Sequence, residues 1–544
     1  MTGEKAGVRR AVCDRRAWHS VLAGIAVFVV LAVGAGLAGC GSSSDSNAKA
    51  EKSVAVFGTE LAPYSSLDPV KEGVYPTVEA NVYEKLTDYD AETGKVIPQL
   101  ATSWEVSDDG MTWTFHLKEG VKFHDGSEVD SKAVKFSFTR SQTGSASGYT
   151  WKPVESIETP DKYTVQLSLK YPAAMDLVTA ASYGAYITSP TAFETYGDKV
   201  FEAGYDAGSG PYTLKSASLT EVLLERFPDY WGGWADTHAR APDAAVIRQM
   251  AEPAVRSENL EQDAAQVIQS AAVTDLPRLL EDPSLKLHNN PGWVALVLIF
   301  NTKKEPLTDI HLREALWYAY PYQQAIDLAY GGYAEIPAGT ILPGIDGYTQ
   351  QNERFTAPAQ DMEKARAALA QSKYPDGGVT LKCHVVAGDD KAAKCCELFK
   401  AALSELNITL NIQAVSTSVI YTQAVEPNPK QDILCTQWTP SYGSAKDVAE
   451  NMFRSQDPNA WNLSYWTSPE TDKLFDEAIL LEASQRDASI EKILEAWAII
   501  EPQKTTIFAG NLQSTPVART SLKGFEGFAP SKLATVLFYD TWFE

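Results

Sequence analysis

The stretch from residue 361 to residue 438 alternates between two sequence patterns, and this alternation restricts the fold more than any other feature. Apolar residues recur every three or four positions in Asp361–Ala370 and Lys391–Leu406, which predicts amphipathic helices. Short apolar runs that predict strands lie between and after these helices, over Val379–Val386, Ile408–Val415 and Asp432–Trp438. Because alternating strands and helices form a mostly parallel sheet covered by helices, this part is predicted to be α/β.

The first half of the chain has a different pattern, in which apolar and polar residues alternate. Every second residue is apolar in Met111–Leu117 and Lys162–Leu169, which predicts half-buried strands. Further amphipathic helices are predicted later, over Asp309–Tyr330, Pro469–Leu481 and Ser489–Ile500. A strand-rich first half and an α/β second half indicate separate domains, since the 505 residues after position 39 are too many for one core.

A run of 18 uncharged residues, Val21–Ala38, follows four arginines near the N-terminus. Its length approaches the roughly 20 residues of a membrane-spanning helix, but its position and its Gly/Ala-rich end are typical of an export signal. Leu37-Ala-Gly-Cys40 resembles the bacterial lipobox, whose cysteine receives a diacylglyceryl group. We therefore expect residues 1–39 to be a lipoprotein signal peptide, with lipidation at Cys40 and a flexible tether over 40–53. The alternatives are a simple span and a secretory signal with an incidental cysteine.

The chain that remains after residue 39 is acidic. It carries 42 Lys and Arg against 68 Asp and Glu, a formal net charge of −26. This balance disfavours binding to nucleic acid and electrostatic attachment to anionic lipid. The longest later apolar run, Trp293–Phe300, is too short to span a membrane. We expect an exported protein, held to the outer face of the cell membrane by its lipid anchor only, in the periplasm or at the cell surface.

The sequence has none of the common catalytic motifs. A G-x-S-x-G elbow, a Walker loop and an H-E-x-x-H pair are all missing, and Gly208-Ser-Gly210 predicts a turn into a strand. The histidines are scattered, and His116 and His124 are expected on paired strands. We predict neither catalysis nor a metal site nor a cofactor.

Four cysteines lie within one 53-residue stretch, and export makes a disulfide chemically possible. Cys395 and Cys396 are adjacent on a predicted helix and therefore point about 100° apart, so at most one easily faces a given strand cysteine. Two alternatives remain for Cys383, Cys395, Cys396 and Cys435: one disulfide among them, or buried free thiols.

Aromatic residues are abundant, with 13 Trp and 24 Tyr, and some follow the ends of predicted strands. Trp438 and Tyr442 follow the strand predicted over 432–438, and Tyr64 follows a strand at Val54–Phe57. Loops at strand ends line clefts, and flat aromatic rings suit an amphipathic small ligand. The alternative is that these rings fill the junctions between domains.

Three stretches near the start of the chain resemble the signature region of a known family. They are Asn81–Asp90 (NVYEKLTDYD), Ile97–Gly110 (IPQLATSWEVSDDG) and Phe115–Gly126 (FHLKEGVKFHDG). Similar stretches follow in the family's order at Gly208–Lys215, Pro228–Gly233, Phe300–Thr302, Leu312–Leu316 and Asn462–Asp472. The ordered combination covers essentially the whole mature chain. It resembles the bacterial extracellular solute-binding proteins of the oligopeptide/dipeptide/nickel class, family 5, the binding components of ABC importers.

This resemblance implies an α/β, periplasmic-binding-protein-like fold, with two lobes joined by a hinge and an extra domain inserted in lobe one. Lobe one would comprise residues 54–80, 207–300 and 515–544, the extra domain 81–206, and lobe two 301–514. The implied partners are a small, peptide-like solute, an ABC permease and its ATPase subunits. We expect a monomer.

The resemblance also implies where the ligand binds. Peptide-binding members place an acidic side chain just after a strand-end Trp, where it pairs with the ligand's α-ammonium group. The matching position after Trp438 is Ser441 in this chain. Gly58–Glu60 match the edge of the first strand, which offers backbone groups to an extended ligand. The predicted ligand-binding residues are Thr59, Glu60, Leu61, Tyr64, Trp293, Gln437, Trp438, Thr439, Ser441 and Tyr442.

A second departure from the family pattern is Tyr320-Pro-Tyr322, where the helix of the family usually continues through Asp-Arg. Proline removes a helical hydrogen bond, so the helix is predicted to kink or end there. The two departures leave the transporter class intact, but they weaken the case for a peptide ligand with a free N-terminus.

The leading functional hypothesis is therefore capture of an oligopeptide or peptide-like solute for import. A nonpeptide solute, such as an oligosaccharide, metal chelate or siderophore, is the second hypothesis. An exported hydrolase with a carboxylate pair in the cleft is the third.

Overall fold

A computed structural model describes residues 52–544 except positions 61, 65, 72–76, 91–92, 145–147, 182–183, 203–204, 426–429, 456–460 and 525–535. Residues 52–544 form one compact unit. Within the described ranges, no helix is long and apolar enough to cross a membrane. The predicted signal peptide, Cys40, the tether up to residue 51, and Leu61 lie outside the described residues.

The strands of the described residues are, in chain order, β1 Val54–Thr59, β2 Thr87–Tyr89, β3 Val96–Pro98, β4 Ala101–Val106, β5 Thr112–Leu117, β6 Val154–Asp161, β7 Thr164–Leu169, β8 Tyr212–Ala217, β9 Glu221–Arg226, β10 Ala244–Gln249, β11 Val267–Ile268, β12 Leu285–Leu287, β13 Asn290–Phe300, β14 Ala334–Glu335, β15 Thr380–Val386, β16 Thr409–Val415, β17 Ile433–Trp438, β18 Thr506–Ser514, β19 Val517–Arg519, β20 Leu522–Lys523 and β21 Trp542–Phe543.

The α-helices are α1 Thr77–Val82, α2 Ser131–Thr143, α3 Met175–Ala180, α4 Pro190–Tyr196, α5 Pro253–Glu261, α6 Leu276–Leu279, α7 Ile310–Ala319, α8 Tyr322–Tyr330, α9 Tyr348–Arg354, α10 Met362–Gln371, α11 Asp390–Ser404, α12 Thr417–Val425, α13 Ala445–Phe453, α14 Pro469–Glu482 and α15 Arg486–Ile500. Short 3₁₀ turns occur at Gly197–Phe201, Asp236–Arg240, Glu501–Gln503 and Phe538–Asp540.

The first large sheet has the strand order β12-β19-β11-β1-β10-β9-β8 and forms the body of lobe one. β1 lies in the middle and pairs in parallel with β10 and β11, whereas β8, β9 and β10 pair in antiparallel fashion. Ala55 and Phe57 of β1 are buried in one core with Tyr212 and Val222 from the neighbouring strands. The core therefore fixes β1, so that Thr59 and Glu60 leave the sheet from its centre.

The second large sheet has the order β14-β18-β13-β17-β15-β16 and forms the body of lobe two. β15 pairs in parallel with both β16 and β17, and α11 covers them. The α/β arrangement predicted for residues 361–438 is confirmed. Alternate residues of β13 enter two different cores, Leu296 on one face and Ala295 on the other. This sheet is therefore covered on both faces.

The chain crosses between the two sheets twice, and the two crossings run side by side. Leu287 of β12 pairs with Val517 of β19 in the first sheet, and three residues later Asn290 of β13 pairs with Ser514 of β18 in the second. The predicted boundary at residue 300 assigns β13 to lobe one. The strand pairs instead with β17 and β18 of the second sheet, because its apolar residues bury on both of that sheet's faces.

The extra domain contains a four-stranded sheet in the order β4-β5-β7-β6, with α2 packed against it. The strands predicted from alternating sequence over 111–117 and 162–169 are confirmed as β5 and β7. His124, expected on a strand, lies in a turn instead. Its ring is buried there, and its two nitrogens are satisfied by Asp206 at Nδ1 and by the carbonyl oxygen of Gly210 at Nε2.

The predicted interruption at Pro321 is confirmed. The helix predicted over 309–330 is divided into α7, which ends at Ala319, and α8, which begins at Tyr322. Pro321 has no backbone N–H, so it cannot continue the hydrogen-bond ladder of α7.

Candidate functional site

Four of the ten predicted ligand-binding residues lie in the segment that begins at the last residue of β17, and we name residues 438–444 the ligand loop. Pro440, which has no N–H to donate to a sheet, follows the strand closely. Ser444 closes the loop because its side chain accepts a hydrogen bond from the backbone N–H of Lys446 and caps α13. The loop is therefore held between a strand end and a helix start, a position where side chains project from a rigid frame.

Trp438 and Trp461 form a partly exposed aromatic surface at the start of the ligand loop. Trp438 is half-buried, and its ring meets that of Trp461 edge to face, with centroids 6.2 Å apart. Trp461 keeps 38% of its surface exposed. The two indole rings are perpendicular to each other, so each offers its own exposed apolar area to a ligand.

Gln437 and Thr439 flank this tryptophan and are both exposed. Gln437 is tied to the loop before α11, because its amide Nε2 donates a 2.9 Å hydrogen bond to Asp389.

Ser441 is held from two sides. Its hydroxyl accepts a 2.9 Å hydrogen bond from the hydroxyl of Tyr149, a residue of the extra domain. Its backbone N–H donates a 2.8 Å hydrogen bond to the carboxylate of Asp447 on α13. Burial raises the pKa of Asp447 to about 6, against the hydrogen bond to Ser441, which lowers it. The position therefore offers a neutral polar group, with a buried carboxyl group behind it.

Tyr442 is partly buried and packs against the core beneath the ligand loop. Its hydroxyl accepts a 2.8 Å hydrogen bond from the ammonium of Lys446, and burial raises the pKa of Tyr442. Lys446 also lies 3.3 Å from Glu482 and 3.6 Å from Glu450. This charged network contacts the ligand loop through the hydrogen bond of Lys446 to Tyr442.

Trp293 is behind the ligand loop rather than on its surface. Only 3% of the residue is exposed, and its Nε1–H donates to the carbonyl oxygen of Pro343 at 3.0 Å. Its ring packs edge to face on Tyr89 and against Gly443. The structure thus places Trp293 in the core, where it can shape the loop without touching a ligand.

Thr59, Glu60 and Tyr64 lie at the end of β1, in lobe one. The Thr59 hydroxyl donates to the carbonyl oxygen of Arg248 at 3.3 Å, and Tyr64 packs half-buried on the core of the first sheet. The half-exposed carboxylate of Glu60 lies 3.5 Å from the buried guanidinium of Arg256. Glu60 is therefore the exposed acid among the predicted site residues.

Residues that the sequence analysis missed join the extra domain to the ligand loop. Tyr149 contacts Ser441, and the hydroxyl of Tyr89 accepts a 2.9 Å hydrogen bond from the N–H of Gly443. Both tyrosines are distant from the loop in sequence, so no local pattern indicates these contacts. The one available signal was an aromatic residue in the Gly/Ser-rich segment around Tyr149.

The four cysteines of lobe two are free thiols and all are buried. The sulfur of Cys396 lies 3.7 Å from that of Cys383, and Cys396 also forms a hydrogen bond with Cys435. Cys395 faces Tyr320 instead, as expected for adjacent helical positions. The disulfide remains a prediction. In the part of the chain that the structure describes, no cluster of three or more His, Cys, Asp or Glu is placed to hold a metal ion.

Two α/β lobes connected by paired crossings, with an added domain that meets a strand-end loop, define the architecture of the periplasmic binding proteins. The sequence model of the bacterial extracellular solute-binding proteins, family 5 Middle, matches residues 95–460. The chain belongs to this family.

Similar proteins are consistent with this assignment. The glutathione-binding protein GsiB of Salmonella paratyphi A is 27% identical over 453 residues, which is 81% of this chain and 85% of that protein. DppA from Helicobacter pylori, solved in complex with the peptide STSA, matches with a TM-score of 0.73 at 23% identity, covering 91% of this chain and 99% of that one. AgaA from A. tumefaciens R10, solved in complex with agropinic acid, also has a TM-score of 0.73 at 23% identity, covering 90% and 99%.

Proposed function

We propose that this solute-binding protein captures an oligopeptide or peptide-like solute in a cleft between its lobes and delivers it to the permease of an ABC importer. The observation that carries the proposal is the ligand loop, which presents Trp438 and the polar Ser441 from the end of β17. Family membership supports it, as do the relatives named as glutathione-binding or solved with a peptide.

We further propose that the ligand does not need a free α-ammonium group at the ligand loop. The position that is acidic in peptide-binding members is Ser441, whose hydroxyl receives the Tyr149 hydrogen bond. The nearby carboxyl group of Asp447 is buried and bonds the Ser441 backbone, so it is not free to face a ligand. Glu60, which is half-exposed in lobe one, is the alternative partner for a ligand cation.

A nonpeptide solute is the second candidate. The exposed part of one indole ring, Trp438 or Trp461, suits the face of a sugar or an aromatic chelator, and Ser441 suits a hydroxyl group. AgaA, which shares the fold, was solved with agropinic acid. An exported hydrolase is the third candidate, and we assign no catalytic residue.

We also propose that Cys40 is lipidated and anchors the protein to the outer face of the cell membrane, with the mature chain acting as a monomer. The supporting feature is Leu37-Ala-Gly-Cys40 behind an apolar run. We propose that the chain passes from lobe one to lobe two near residue 289 and returns near residue 515, and the pairing of the strands on either side supports these boundaries.

The test of ligand class is calorimetric titration with three matched probes: a defined tetrapeptide, the same peptide acetylated at its N-terminus, and a trisaccharide. We expect both peptides to bind with affinities within about tenfold of each other, since no ion pair is broken by acetylation. A loss of about a hundredfold on acetylation contradicts the role assigned to Ser441. Binding of the trisaccharide alone supports the second candidate instead.

A further inference from the structure

The extra domain buries apolar side chains against lobe two. Tyr89 and Leu177 of the extra domain belong to the same core cluster as Trp293, Ile341 and Ile345 of lobe two. Tyr89 is 3% exposed and Leu177 is 4% exposed. The extra domain is therefore packed against lobe two through a shared apolar core.

Polar contacts accompany the apolar ones. Nη2 of Arg486 on α15 lies 2.9 Å from each carboxylate oxygen of Asp176 on α3. The Tyr89 hydroxyl donates to the carbonyl oxygen of Leu177 at 3.1 Å and accepts from the N–H of Gly443 at 2.9 Å. Tyr89 therefore links α3 of its own domain to the ligand loop of the other.

Only glycine fits at position 443, where the ligand loop meets the extra domain. A Cβ atom at this position would lie 2.4 Å from the ring of Trp293 and 2.9 Å from the ring of Tyr89. Such distances are shorter than any van der Waals contact, so a side chain here pushes the loop away from both rings. The absence of a side chain lets the ligand loop lie directly against the extra domain.

We infer that the extra domain positions the ligand loop, so that the loop reaches its binding conformation only when Tyr89, Tyr149 and Arg486 have closed the extra domain onto lobe two. This inference rests on the proposed function for the meaning of the loop, whereas the contact itself rests on the packing and hydrogen bonds given above. Tyr89 and Arg486 are positioning residues, because they act through Gly443 and α3 rather than on the solute. The apparent affinity for the solute then depends on the fraction of molecules in which the extra domain contacts the ligand loop.

The test is hydrogen exchange of the ligand-free, full-length mature chain. Arg486→Ala removes the ion pair at the edge of the contact, and Tyr89→Phe keeps the ring but removes the acceptor of the Gly443 N–H. We expect exchange in residues 438–444 to accelerate at least about tenfold in both, while exchange in β15 and β16 is unchanged. Arg486→Lys keeps the charge and is expected to restore part of the protection. Arg354→Ala breaks an exposed ion pair with Glu491 and is the matched control.

Tyr149→Phe is the variant least able to affect folding, because Tyr149 is 44% exposed. In Tyr149→Phe, hydrogen exchange of the ligand loop is expected to accelerate, while the midpoint of urea unfolding does not change. Unchanged protection of residues 438–444 in Arg486→Ala, Tyr89→Phe and Tyr149→Phe overturns the inference. Because this readout uses no ligand, it is independent of whether the protein binds a peptide.

Discussion

Glu84 provides a stability prediction whose sign and size follow from its surroundings. Its carboxylate is buried where the extra domain meets lobe one, and it accepts hydrogen bonds from Ser209 at 2.8 Å, Tyr230 at 3.0 Å and Trp231 at 2.9 Å. Burial outweighs these three bonds and raises the pKa of Glu84 from 4.5 to about 7. Folding therefore disfavours the ionised carboxylate relative to the unfolded chain.

The direction follows from proton linkage. Between pH 4.5 and about 7 the folded chain retains a proton on Glu84 that the unfolded chain has released, so the free energy of unfolding decreases as the pH rises. The shift corresponds to about 3 kcal/mol in total, of which about 2.5 kcal/mol is lost between roughly pH 5 and pH 8. The pKa values of His124 and Asp447 are also raised, and both shifts act in the same direction. The wild type therefore loses more unfolding free energy than this amount over the same pH range.

Glu84→Gln removes the titration and keeps the shape of the side chain. We expect the variant to be less sensitive to pH than the wild type, its change in unfolding free energy between roughly pH 5 and pH 8 being smaller by about 2.5 kcal/mol. The measurement is urea unfolding by tryptophan fluorescence at both pH values and constant ionic strength. Glu119→Gln, which removes an exposed charge from the same domain, is the control. Equal pH dependence in wild type and Glu84→Gln refutes the argument that burial dominates at this site.

Three further predictions concern the ligand, the anchor and the thiols. Trp438→Ala is expected to weaken ligand binding by about 2 kcal/mol or more, and Trp438→Phe by less, in calorimetric titration; an unchanged affinity removes Trp438 from the site. Cys40→Ala is expected to release the protein from membranes in cell fractionation, and a membrane-bound share equal to wild type argues against the lipid anchor. Thiol titration of the folded protein is expected to label none of the four buried cysteines of lobe two. Titration after denaturation is expected to label all four, and two labelled thiols indicate one disulfide among them instead.

Elements whose cause is local were predictable from the sequence. The alternation in β5 and β7 reflects one buried face, and the end of α7 follows from the missing N–H of Pro321. In contrast, nothing within β13 itself indicates which sheet it joins, because its partners lie more than a hundred residues away. An apolar run fits either lobe equally well.

The candidate site also contains features that the sequence predicts and features that only distant partners determine. Trp293 and Trp438 are both tryptophans near strand ends, and the sequence predicted both as ligand contacts. The structure buries Trp293, because Tyr89 of the extra domain covers its ring, and leaves Trp438 half-exposed. The hydrogen bond from Tyr149 to Ser441 joins residues 292 positions apart, so only the folded chain brings them together.

The central claim, that the protein binds an intact peptide-like solute, is tested most directly by native mass spectrometry of the mature chain after incubation with a defined mixture of short peptides. We predict one peptide retained per chain, with its mass unchanged, and no new fragments in the unbound fraction. Retention of none of the peptides, or the appearance of cleaved products, contradicts the account.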